Sequence, residues 1–203
     1  DHCALQGRTG SGKSTLVKLL LKLYEPQSGE ILLNGVPLNE FSQKSLAENI
    51  GYVSQSIILF YASIRDNIRM FDESISDEQI KEALKKSGMY EKIMALPGGL
   101  DYICEDGAAN FSGGETQLLA CARLFLKQSK IIILDESTAK LDSTEQKKIQ
   151  CAFNELIENK TAIIIAHRAE TLKKTNVKFL LENGKLVQGE KAILSEGGSN
   201  ETN

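Results

Sequence analysis

HCALQGRTGSGKSTLVKLLLKL, residues 2–23, is the stretch from which the fold can be read. HCALQ (2–6) has the character of a buried strand, and from Lys13 to Leu23 apolar residues recur at helical spacing. Between them GRTGSGKS (7–14) fits G-x-x-x-x-G-K-[ST], in the strand-before, helix-after setting that marks a phosphate-binding loop. Its glycines let backbone N–H groups converge on phosphate oxygens where side chains would clash. The helix opening near Lys13 adds its N-terminal dipole to the same anion site. Gly7, Arg8, Thr9, Gly10, Ser11, Gly12, Lys13, Ser14 and the following Thr15 are therefore the candidate nucleotide-binding residues. Lys13 would bridge the β- and γ-phosphates, and the Ser14 hydroxyl would ligate Mg²⁺.

Outward from this loop the chain alternates strands and helices. GEILLNG (29–35) reads as a strand with a tight turn at Asn34-Gly35, and Ile50–Ser54 as another strand ending at Gln55. Residues 56–128 turn helical. Ser76 with Gln79 forms a capping-box pattern before a helix that Gly88 closes, and Ser112 with Glu115 forms a second. Strand character returns at Ile131–Leu134 and Ala162–Ala166, separated by a helix opened by Ser143 and Gln146. Apolar strands alternating with amphipathic helices predict an α/β fold, a mainly parallel sheet covered on both faces. The helical stretch 56–128 is expected as an insertion between core segments 1–55 and 129–190, and the polar residues 191–203 as a flexible tail.

Composition narrows the function. With 24 basic and 27 acidic side chains the net charge is −3, which argues against a broad nucleic-acid footprint. The longest apolar run, Ile57 to Ala62, is far short of a bilayer span. Cys3, Cys104, Cys121 and Cys151 are widely spaced with no CxxC, so a reduced cytosolic chain fits better than a zinc site or a disulfide frame. Ile131–Leu134 delivers Asp135 and Glu136 at the end of a buried strand, beside the phosphate loop. Asp135 suits the water shell of Mg²⁺, and Glu136 the place of a general base for water attacking the γ-phosphate. An Asp-Glu pair alone would read as a helix cap; the phosphate loop decides otherwise.

FSGGETQ (111–117), followed by IIILDESTAKLD (131–142), resembles the nucleotide-binding domain of ATP-binding-cassette (ABC) transporters. The fold it implies is a P-loop NTPase core of RecA-like type, with an inserted helical subdomain carrying the ABC signature. Gln55 looks like the Q-loop glutamine, Asp142 like the last residue of the D-loop, and His167 like the switch histidine. The resemblance gives Gln55, Ser14 and Asp135 to Mg²⁺, and gives catalysis to Glu136, His167 and Lys13. It also implies a head-to-tail dimer with a second nucleotide-binding domain, in which Ser112, Gly113, Gly114 and Glu115 cover the γ-phosphate held by the partner. SQSIILFYASIRDNI (54–68) is similar to the exporter pattern, and Glu105–Gly107 to the exporter-type loop before the signature. This implies MgATP hydrolysis coupled to export, docking on the coupling helices of transmembrane domains, a place at the cytoplasmic face of a membrane, and no nucleic-acid partner. A nucleotide-gated binding module and a soluble ABC protein acting on DNA or ribosomes are the competing readings. Glu136 with His167 argues against the first, and segment 54–68 against the second.

Departures are few: Phe111 for Leu, Glu115 for Gln, Thr116–Leu119 where basic residues are common, AKLD for SALD, and Cys104 where glycine is common. The family's adenine-stacking aromatic precedes the phosphate loop by more than the span of residues 1–6, so the chain reads as a cassette cut short at its N-terminus. The chain as it stands should consequently bind ATP more weakly than micromolar. A fluorescent-nucleotide titration giving a tighter constant would refute that expectation.

Overall fold

The computed structural model describes residues 1–105, 110–135, 142–165 and 175–188. Among them β1 (His2–Gln6) leads into α1 (Lys13–Leu20), a small hairpin of β2 (Leu32–Leu33) and β3 (Val36–Pro37), α2 (Gln43–Asn49) and β4 (Ile50–Val53). Four helices follow: α3 (Ile64–Arg69), α4 (Asp77–Lys86), α5 (Tyr90–Ala95) and α6 (Gly113–Leu126). The chain then forms β5 (Ile131–Asp135), α7 (Ser143–Ile157), β6 (Thr161–Ile165), β7 (Val177–Glu182) and β8 (Lys185–Gln188). The main sheet has the order β4-β5-β6-β1-β7-β8, parallel throughout except for the antiparallel edge strand β8. The α/β expectation with a mainly parallel sheet holds.

Strand periodicity sorts the side chains onto two faces. Ile132 and Leu134 of β5, Val53 of β4, Ala162 and Ile164 of β6 and Ala4 of β1 face the core shared with α3, α4, α6 and α7. Ile133, Ile165, Leu5, Ile50 and Tyr52 face the other way, against Val17 of α1 and Leu46 of α2. In β5, Ile132, Ile133 and Leu134 are at most 1% exposed, each contributing about 1.5–3 kcal/mol of burial as an upper bound. Such two-sided burial is what a continuous apolar run without alternation encodes.

The signature-bearing helix α6 sits close to the sheet because β4 carries a glycine. A Cβ on Gly51 would lie 2.9 Å from Ile132 Cδ1 and 3.1 Å from Leu124 Cδ2 of α6. On its far side α6 is tied to the loop after β4. Arg123 donates to Asn67 O at 2.8 Å, Ile58 O at 3.0 Å and Asn67 Oδ1 at 3.1 Å, with its guanidinium over the Phe60 ring. The fully buried Asn67 amide also accepts the Phe60 N–H at 2.8 Å and donates to Phe60 O at 2.9 Å. Burial pulls the Arg123 pKa down, so the backbone acceptors around it are what keep a cation there tolerable.

Three local expectations need correction. α1 stops at Leu20 instead of Leu23, because Lys22 turns left-handed (φ 54°) and its ammonium is drawn to Asn39 O and Phe41 O at 2.9 and 2.7 Å. GEILLNG yields only the two residues of β2, closed on β3 by Asn34 and Gly35, both at positive φ as a type I′ turn demands. α7 is capped by Asp142, whose carboxylate accepts the amides of Thr144 and Glu145 at 2.7 and 2.9 Å. Ser143 is the first helical residue, not the cap. The capping boxes Ser76–Gln79 and Ser112–Glu115 are both present.

Replacing Gly51 with Ala should force Leu124 and Ile132 apart and lower stability by about 1–3 kcal/mol. Urea denaturation read by circular dichroism measures it.

Candidate functional site

Parallel pairing places the carboxyl ends of β1, β4, β5 and β6 on one edge of the sheet. The register sets Leu5 level with Ile165, Ile165 with Asp135, and Val53 with Leu134. β1 and β5 are two strands apart, so Asp135 and the start of the phosphate loop are separated by about 10 Å across the sheet. Gln55 lies two residues beyond the end of β4 on the same edge.

The loop itself is narrow by necessity. A Cβ on Gly7 would come within 2.5 Å of both Leu181 O and Ser11 Oγ, so no larger residue fits without moving β7. The Ser11 amide closes a turn onto Arg8 O at 3.1 Å, and Gly12, at φ 104°, swings the chain into α1. The N-terminus of α1 then differs from those of α2, α3, α4, α6 and α7. Each of those is capped by a serine or aspartate side chain, whereas α1 has no side-chain cap and no acid in its first turn. Its leading amides stay open to an anion. Nearby, the Ser11 hydroxyl is buried with no hydrogen-bond partner.

Lys13 is 8% exposed and is folded into the loop, donating to Gly7 O at 2.6 Å and Arg8 O at 2.9 Å. Burial lowers its pKa, and the negative charge of Asp135 pulls it back up. Asp135 belongs to the same odd-numbered set of β5 as Ile131 and Ile133, the face toward α1. Its charge also adds to burial in raising the Tyr52 pKa. Ser14 and Thr15 are exposed in the first turn of α1. The set Ser14, Asp135 and Gln55 is a hard oxygen-donor set, suited to Mg²⁺ that keeps waters and phosphate oxygens in its shell. Among the described residues there is no cluster of three or more His, Cys, Asp or Glu side chains able to hold a metal.

Glu136 and His167, the sequence-derived general base and switch histidine, lie outside the described residues, as do residues 139–141 of the D-loop pattern and Asp106–Gly107. Asp142, the last D-loop position, is described and caps α7.

Around the signature, Ser112 Oγ accepts the Glu115 amide at 3.2 Å and Glu115 Oε2 accepts the Ser112 amide at 2.9 Å. Glu115 is thus turned back on its own helix and is further held by an ion pair with Lys92 of α5. Burial pushes the Glu115 carboxyl up, but Lys92 and the Ser112 amide outweigh it and leave its pKa below the ordinary glutamate value. Ser112 and Gly113 are exposed, and the space a Gly113 side chain would fill is open. Two contacts escaped sequence reading: Lys92 with Glu115, and Ser112 Oγ donating to Glu145 Oε1 of α7 at 2.9 Å. Both join residues from different helices, and no local spacing rule reaches them. Arg123 did carry a signal, the one cation among the apolar positions of LLACARLFL (118–126).

The fold and the site together define a phosphate-loop nucleotide-binding domain with a second, separate signature element. A family profile described as ABC transporter matches residues 1–139. The ATP-dependent lipid A-core flippase of Burkholderia pseudomallei is 36% identical over 200 residues, 98% of this chain and 33% of that protein. The flippase of the same name from Saccharophagus degradans is 39% identical over 185 residues, 91% of this chain and 32% of that one. Among solved structures, a bacterial Atm1-family ABC exporter with ATP bound superposes with TM-score 0.83 at 33% identity, covering 92% of this chain and 33% of its own. This chain belongs to the ABC transporter family and has the P-loop NTPase fold of its ATP-binding domain. It spans about a third of the length of the curated relatives it matches.

Because the Glu115 pKa is depressed on folding, its contribution to stability is present at neutral pH and fades as pH falls through the folded-state pKa. Glu115→Gln keeps the capping box but loses the Lys92 pair, which is part-exposed and worth about 0.5–1 kcal/mol. The stability gap between wild type and Glu115→Gln, read by urea melts across acidic pH, should close below the glutamate range.

Proposed function

We propose that residues 1–190 act as one nucleotide-binding unit, with the helical part 56–128 inserted, that drives export by dimerising head-to-tail around two MgATP and then hydrolysing them. The reading is supported above all by the uncapped N-terminus of α1 beside an unpartnered, buried Ser11 hydroxyl, both at the loop that holds Lys13. Residues 7–15 bind the triphosphate. Lys13 leaves the carbonyls of Gly7 and Arg8 for the β- and γ-phosphates, a transfer from neutral acceptors to charged ones. Ser14 and Gln55 would hold Mg²⁺, with Asp135 acting through water, and the ion would supply charge neutralisation at the phosphates when bound. Glu136 takes the proton of the attacking water, and His167 orients that water against the γ-phosphate. Ser112, Gly113 and Gly114 receive the γ-phosphate bound by the other subunit, with Glu115 fixing the cap and Asp142 the start of α7.

Transmembrane domains dock on the loop after Gln55. Ile58, Phe60 and Tyr61 are 70%, 41% and 73% exposed there, next to exposed Met70 and Phe71, while Asn67 and Arg123 hold the backbone beneath. An apolar patch on a rigid support is what a protein partner needs. Docked in this way, the domain would sit at the cytoplasmic face of a membrane. Among the described residues, no helix is long and apolar enough to cross one.

Glu136→Gln should abolish turnover yet accumulate an ATP-bound dimer, measured by phosphate release alongside size-exclusion chromatography. Near-normal hydrolysis in that variant would remove Glu136 from the mechanism.

A further inference from the structure

The signature hydroxyl already has an acceptor within its own chain. A serine carries a single O–H, and that of Ser112 points to Glu145 Oε1 at 2.9 Å. While it does so, it cannot donate to a phosphate oxygen. Glu145 is the third residue of α7, where a Glu or Gln side chain ordinarily turns back to the N-cap amide. Gln79 of α4 and Glu115 of α6 both do this. In α7, Asp142 caps by accepting the amides of Thr144 and Glu145, and the Glu145 carboxylate reaches across to the N-terminus of α6. None of the ion pairs among the described residues includes Glu145. Its charge faces the one place where the chain offers Ser112 and the exposed Gly113 to the outside.

We infer that Glu145 is an internal competitor for the signature serine, a latch that must release Ser112 before the N-terminus of α6 can close on a nucleotide held by a second subunit. The inference rests on the head-to-tail reading proposed above. A carboxylate and a phosphate compete for one hydroxyl hydrogen, and the two anions repel across the gap that closure would shut. Release frees the hydroxyl and lets Glu145 turn back toward the N-cap amide of α7, the place its position in the helix favours. Glu145 is thus a positioning residue. It sets the affinity of nucleotide-driven closure and leaves binding at the chain's own phosphate loop, built from β1 and α1, untouched. Because Glu145 follows Asp142 within the first turn of α7, closure on the signature also reaches the residue in the last D-loop place.

The test is a double-mutant cycle in the full protein, with a non-hydrolysable ATP analogue and Mg²⁺. Analytical ultracentrifugation reads dimerisation, and a fluorescent nucleotide reads binding by the monomer. Glu145→Ala should tighten the dimer by about tenfold for the loss of a hydrogen bond to a charged group, and Glu145→Gln, whose amide oxygen still accepts but carries no charge, by a smaller factor. Monomer nucleotide affinity should stay as in wild type, and the tighter dimer is the outcome that a merely structural role would not give. Glu145→Gln keeps a polar, uncharged side chain at the same helix position, so its fold is secure if the alanine variant is weakened. In a Ser112→Ala background the gain should vanish. Unchanged or weaker dimerisation of both Glu145 variants, with Ser112→Ala still costing the wild type its dimer, overturns the latch alone. A wild type whose dimerisation ignores Ser112→Ala, or that stays monomeric with the analogue, removes the head-to-tail reading and the latch together.

Discussion

Parallel pairing of a strand buried on both faces is the constraint from which the rest of this molecule follows. β5 lies between β4 and β6, and Ile132, Ile133 and Leu134 leave no face of its centre for water. Parallel neighbours must be joined by crossovers, so helices are forced over both faces, and every strand of that set ends on the same edge. The phosphate loop, Gln55 and Asp135 come from three distant parts of the chain. They lie along one edge of the sheet because hydrogen-bond register, with a one-residue slip inverting every side chain, allows no other alignment. Asp135 faces α1 for the same reason, and Lys13 registers its charge through the lowered and partly restored pKa.

The contrast between two helix starts organises the chemistry. α1 begins without a capping side chain, and Lys13 and the turn at Arg8–Ser11 wrap the opening with backbone donors and one cation. α6 begins fully capped, with two carboxylates, those of Glu115 and Glu145, on Ser112. One end is open to an anion by default. The other has to exchange an internal anion for an external one, a difference of the kind that separates a site that binds first from one that closes later. Between α6 and the exposed loop at Ile58–Tyr61, the part-buried Arg123 and the buried Asn67 form a polar bridge. Motion of one is costly without the other, since breaking the bridge would leave the Asn67 amide and a part-buried guanidinium short of partners.

Much of this was legible in the residues alone. The glycine spacing of 7–14, the apolar run before Asp135 and the order of motifs specified the fold class and the nucleotide loop, because strand burial and phosphate approach impose short-range patterns on the chain. Capping boxes at Ser76 and Ser112 were equally readable, being contacts across three residues. The start of α7 was misread by one residue because Asp142 and Ser143 are both good caps, and only backbone direction chooses between them. The end of α1 was misread because Lys22 is taken by carbonyls of the segment 39–41, a long-range pull no helix propensity contains.

What the sequence by itself determined is therefore the chemistry that depends on neighbours in the chain: the phosphate loop, the strand that presents Asp135 and the caps of the helices. Tertiary structure alone decided which anion the signature serine holds, how Lys92 restrains Glu115, and what a side chain at position 51 would press against. Those depend on distances between elements that packing brings together. A side chain's partner across a helix interface leaves no periodic trace in the chain, because the geometry that pairs them exists only once both helices lie against the same sheet.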